Sequence, residues 1–197
     1  MDWKDITIST FEKIVEITKN AEYTDVEKTA RLISLIYNID LEEVFNWKIE
    51  DIISYKKEFD FINHFDIDYD NIRKEDVNIK SIEYQDKKYD IQLDLDLIHF
   101  NVSQYIDFMS YYNSEDDERN IGQLLSTIII PKGSKYNDLS YNLYEWIEII
   151  KNSIDIITAN KILFFFIRNS TTYQPSTFQQ VMMRLIARSL TRNLLKY

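Results

Sequence analysis

Arg184, Arg188, Arg192 and Lys196 recur every four residues near the end of the chain. On a helix that spacing stacks four cations into one stripe about 18 Å long. Its chemistry is electrostatic attraction to something negative, and the rest of the chain bears on what that is. The first 155 residues hold all 33 acids but only 17 of the 23 Lys and Arg, a net charge of −16. Residues 156–197 carry Lys161, Arg168 and the four cations of the stripe, +6 with no acid. Three targets follow: the protein's own acidic body, the phosphates of a nucleic acid, or the acidic face of another protein or another copy. A body at −16 opposes approach to nucleic acid. We therefore expect the stripe to be partner-binding, with another copy or another protein as the partner and nucleic acid as the less favoured one.

The remaining reactive residues form weaker patterns. Asp66, Asp68 and Asp70 alternate as in a calcium loop, but the sixth and twelfth positions, which need Gly and Glu, are Asn71 and Val77. Asp94 and Asp96 resemble a metal-binding pair, yet Leu93, Leu95 and Leu97 between and beside them mark simple strand alternation. His64 and His99 are the only histidines, 35 residues apart, so they offer no local metal pair. With no cysteine, thiolate zinc sites, Fe–S clusters and disulfides are excluded. Gly122 and Gly133 are the only glycines, so phosphate-cradling loops have no fingerprint here. The expectation is a protein that is not an enzyme and has no metal site or cofactor.

Tyrosines are abundant, 14 in all, and Tyr105, Tyr111, Tyr112, Tyr136, Tyr141 and Tyr144 cluster in one stretch. They sit among acids rather than arginines, which suits core and protein-interface packing better than base stacking.

These residues must be carried by a mostly helical chain. Ser9–Glu12, Thr24–Glu27 and Asp40–Glu43 each place a capping side chain three residues before a Glu, the signature of a helix start. Apolar spacing predicts helices behind the first two starts and over Ile49 to Ile62. The period then changes to two at Phe65–Asp70, Ile82–Tyr84 and Tyr89–Leu97. That pattern predicts a β-hairpin over 79–97, turning at Asp86–Lys87, with one apolar and one acidic face. Helix resumes at Asn101, and Ile121 to Ile130 reads as a helix stopped by Pro131. Further helices are predicted over 139–151, 154–168 and 176–195. The fold class is mainly α, helical blocks flanking a central β-hairpin. Its segments are 1–64, 65–100 and 101–197, forming one compact domain. No apolar run is long enough to cross a bilayer, and the acidic opening is unlike a signal peptide, so no membrane partner is expected.

The opening Trp3-Lys4-Asp5-Ile6-Thr7, the capped helices, the hairpin leading into Gln104–Phe108, and the Ile128–Lys132 stretch together carry a resemblance. The chain resembles small virion-associated proteins of crAss-like phages, short-tailed viruses of gut Bacteroides and their relatives. The resemblance implies a structural protein of the portal–tail vertex, either a ring or adaptor subunit or packaged cargo. Its partners would be other copies, the portal and the tail, and it would reside in the virion and in the host cytoplasm during assembly. It implies no active-site residue. Helical, glycine-poor tail-assembly chaperones share these features and are the alternative.

Overall fold

Helix starts dominate the first third of the protein because short polar side chains there reach their own backbone. The computed structural model describes residues 2–63, 72–114, 120–138 and 141–170. After a 3₁₀ turn at Trp3–Asp5 come α1 (Ile8–Lys19), α2 (Asp25–Tyr37), α3 (Leu41–Phe45) and α4 (Ile49–Tyr55). Thr24 and Glu27 close the expected capping box on α2, and Asp40 accepts from the N–H groups of Glu42 and Glu43. The first start lies two residues earlier than the Ser9 reading. Thr7 caps α1 by accepting from the Thr10 N–H, and Glu12 pairs with Lys151 of another helix instead. Beyond Tyr55 the predicted helix tightens into a 3₁₀ stretch, Lys56–Asn63.

The hairpin is present, with β1 (Ser81–Tyr84) and β2 (Lys87–Leu93) pairing antiparallel. Its turn is Gln85–Asp86, one residue before the expected place. Both residues take positive φ, 50° and 60°, as a two-residue turn with this twist requires. The inner face carries Ile82, Ile91 and, partly buried, Tyr84, Tyr89 and Leu93. The outer face is not purely acidic: Glu83 stands opposite Lys88 in the register.

Two alternating or apolar runs fold differently from their pattern. β2 stops at Leu93, and Leu97–His99 turns into a 3₁₀ helix rather than extending the strand. The Ile121–Ile130 run divides into α6 (Ile121–Ile128) and a third strand, β3 (Ile129–Pro131), so the sheet order is β1-β2-β3. β-branched residues suit a strand as well as a helix end. Here the free edge of β2 decided, pairing Leu93 with Ile129 and Ile91 with Pro131.

The second helical block comprises α5 (Val102–Tyr112), α6, α7 (Leu143–Ser153) and α8 (Ile156–Ser170). The protein is thus mainly α, with eight α-helices among the described residues and a small central sheet. α8 is apolar nearly all round and lies at the centre, burying Ile156, Ala159, Ile162, Leu163, Phe165, Phe166 and Ile167. The chain start docks beside it. Ile8 donates to the Ile154 carbonyl at 3.1 Å and Ile156 donates to Ile6 at 2.9 Å, bridging the first helix to the α7–α8 junction. One apolar cluster runs from Trp3 to Ile167.

Candidate protein-contact surface

α5 positions the most distinctive surface of the molecule. Asn101 and Gln104 form its capping box, and buried Gln104 also donates through Nε2 to the Thr127 carbonyl at 2.6 Å. That bond pins the start of α5 to the end of α6. From there Phe108 points inward, its ring centroid 6.0 Å from Phe100 and 5.1 Å from Phe166 of α8. Gln104, Phe108 and Tyr112 therefore define the core face.

At 100° per residue, Val102 and Ile106 fall on the opposite side of the same helix, and Tyr105 lies at the flank of the core face. They are 77%, 42% and 58% exposed. Half-buried Met109 continues the stripe, and Asp107 is the one charged residue of α5. A helix apolar on both faces is ordinarily covered on both.

Asp107 and a group of tyrosines border the stripe. The Tyr136 hydroxyl, from the loop after β3, donates to Asp107 at 2.9 Å. Burial first, then that bond, pushes the Tyr136 phenol far above its ordinary range. Tyr111 is raised by burial, then by the nearby Asp107 and Tyr144. Burial also raises Tyr141, against the opposing effect of the Asn137 N–H that its oxygen accepts. Tyr144, at the start of α7, is 82% exposed. The Tyr111, Tyr136 and Tyr141 phenols stay neutral at physiological pH. They supply flat apolar area with a hydroxyl at one end, which suits contact with another protein.

A second exposed apolar group lies on α3 and α4: Phe45, Ile49 and Ile53, with Ile52 turned into the core. Beside it the Arg31 guanidinium lies 4.0 Å from the Tyr23 ring centroid and 5.6 Å from that of Phe45.

The sequence-derived candidates stand as follows. Arg184, Arg188, Arg192 and Lys196, the 176–195 helix and residues 64–71, with His64, Asp66, Asp68 and Asp70, lie outside the described residues. Asp94 is described, and its neighbourhood differs from a bare strand. The 3₁₀ turn folds His99 back so that Nδ1 stands 3.3 Å from Asp94 Oδ1. Burial raises the Asp94 carboxyl above its usual range, while His99 and a hydrogen bond from Gln104 oppose the shift. Among the described residues no group of three or more His, Asp or Glu is placed to hold a metal ion. No helix among them is long and apolar enough to cross a membrane.

The α5 stripe was available in the sequence and passed over. Val102 and Ile106 are four apart, on the side opposite Gln104 and Phe108, and a helix of eleven residues with one charge already signals a second apolar face. No family model matches the chain, and neither does any curated protein or solved structure.

Proposed function

We propose that this protein is a non-enzymatic assembly subunit of a phage particle, placed at the portal–tail vertex and working through contacts with copies of itself and with other virion proteins. The supporting observation is α5, whose inner face packs on Phe100 and Phe166 while its outer face leaves Val102 and Ile106 to solvent, with Tyr105 exposed at its flank. A stripe of that kind, rimmed by neutral tyrosines, has the composition of the core of a protein–protein interface. The split between an acidic body and a basic end adds a means of orienting one subunit against the next. The resemblance to virion-associated proteins supports the phage particle as the setting.

Mass spectrometry of purified particles tests the reading. A structural subunit appears in fixed ratio to the portal protein. A chain present in infected cells and missing from particles is an assembly chaperone instead.

A further inference from the structure

Resting on that assembly reading, we infer that the outer face of α5 on one copy seats the exposed α3–α4 group of the next, with the Arg31 guanidinium of the second copy meeting the Asp107 carboxylate of the first. The partner of this surface is then the chain itself, joined front to back.

Arg31 sets the first requirement. Its guanidinium lies 4.0 Å from the Tyr23 ring centroid and 5.6 Å from that of Phe45, and its buried Nε makes no hydrogen bond with a described residue. Glu27, one turn earlier on α2, directs its carboxylate to the Thr24 cap. Among the described residues Arg31 forms no ion pair. A guanidinium held by aromatic rings at the edge of exposed apolar side chains is the kind of group that anchors a protein contact, and it gains from a carboxylate brought by the partner. Phe45 is itself exposed, as are Ile49 and Ile53 one turn apart on α4. The occupant must therefore offer an apolar strip with a carboxylate at its margin.

α5 offers that strip. Val102 and Ile106 lie one turn apart on its outer face, and Asp107 stands 100° round from Ile106, on the flank away from Tyr105. As the only charge of the helix, Asp107 decides which sign the face attracts. One of its oxygens accepts from the Tyr136 hydroxyl at 2.9 Å, which fixes the carboxylate beside the strip. A guanidinium then meets an acceptor already held in place.

The pairing of unlike faces matches more than any pairing of like ones. Two α5 faces laid together put two Asp107 carboxylates into one contact and leave Arg31 without a counter-charge. Joined front to back, both charges are matched and both apolar groups are covered. α3 and α4 pack on α2, whereas α5 packs on α6, so the two faces belong to different parts of the molecule and each copy keeps one of each. Such a heterologous contact closes into a ring or runs on as a filament, so many copies assemble through one kind of contact.

The chain has no cysteine, so single introduced thiols report on the contact directly. Full-length Ile53→Cys and Ile106→Cys chains, one of them isotope-labelled, are mixed and treated with a short bis-maleimide, and each is also treated alone. We expect the mixed link to form at least about tenfold faster than either like-chain link, since only unlike faces hold their thiols together. Adding Arg31→Glu to the first chain should slow that link several-fold, and Asp107→Arg on the second should restore it. A dominant link between two Ile106→Cys chains marks a two-fold contact and overturns the proposal. So does the absence of any link between copies, which gives the α5 face to a different protein. No recovery with Asp107→Arg overturns the ion pair. Should that variant disturb folding, Asp107→Asn keeps an acceptor for Tyr136 and is expected to slow the link by itself. Particle composition is measured separately, so a chain absent from particles that still links unlike faces defeats the assembly reading alone.

Discussion

Lys151 of α7 lays its aliphatic stem across the backbone of α6 at Gly122, in the space a side chain there would fill. Its ammonium then reaches Glu12 of α1 at 2.5 Å, with both side chains mostly buried. One missing Cβ thus lets three helices be joined by an ion pair. Two readings of the sequence converge here, because the glycine tied to no phosphate loop and the Glu that does not serve a cap meet through Lys151.

Gly122→Ala forces the Lys151 stem aside and should cost about 1–3 kcal/mol, the usual range for overpacking. Lys151→Met removes the partner of a mostly buried carboxylate and should destabilise as well, while adding Glu12→Gln to it recovers part of the loss. Urea unfolding of the two single variants and the double variant checks this. Equal stability of wild type and Gly122→Ala would show that the stem has another place to lie.

The hairpin turn should be open to improvement. Gln85 and Asp86 both hold positive φ, where a side chain costs about 1 kcal/mol or more. Replacing them with Asn-Gly, the pair that suits such a turn, is expected to raise stability by about 1 kcal/mol with an unchanged m-value.

Alkaline pH should unfold the protein through its tyrosines. The Tyr37 hydroxyl donates to Glu58, which with burial pushes its phenol up to about 12. Tyr111, Tyr136 and Tyr141 are raised also. A phenol whose folded pKa lies above its unfolded value of about 10 contributes stability that is intact below pH 10 and lost as pH rises through the folded value. Thermal melts should therefore be flat from pH 8 to about 10 and fall beyond it. Tyr136→Phe should lessen that fall, and a profile identical to wild type would remove Tyr136 as a contributor.

Charging the outer face of α5 should separate folding from assembly. Val102 and Ile106 are exposed, so Val102→Asp with Ile106→Lys should move the unfolding midpoint by about 1 kcal/mol or less. Incorporation into particles should drop several-fold. Full incorporation of this variant would remove the stripe from the contact surface.

Reversing the cationic row by Arg184→Glu, Arg188→Glu and Arg192→Glu should leave the circular dichroism spectrum and melting of the body intact and stop incorporation. Normal particles from this variant would refute the role assigned to the row.

Much of the fold was legible because helix starts are written within four residues. Thr24 with Glu27, Asp40, and Asn101 with Gln104 each satisfy backbone groups of their own turn, whatever the rest of the chain does. Charge segregation and the lack of cysteine are likewise properties of the string of residues alone. Packing across the chain decided the rest. Ile129 to Pro131 became a strand because the edge of β2 lay open, and Asp107 met Tyr136 across 29 residues that no local spacing connects. α5 had two apolar faces to offer, and only the placement of Phe100 and Phe166 chose which one entered the core and which stayed exposed. A short-range hydrogen bond needs only its neighbours, whereas burial depends on everything that arrives at the same place.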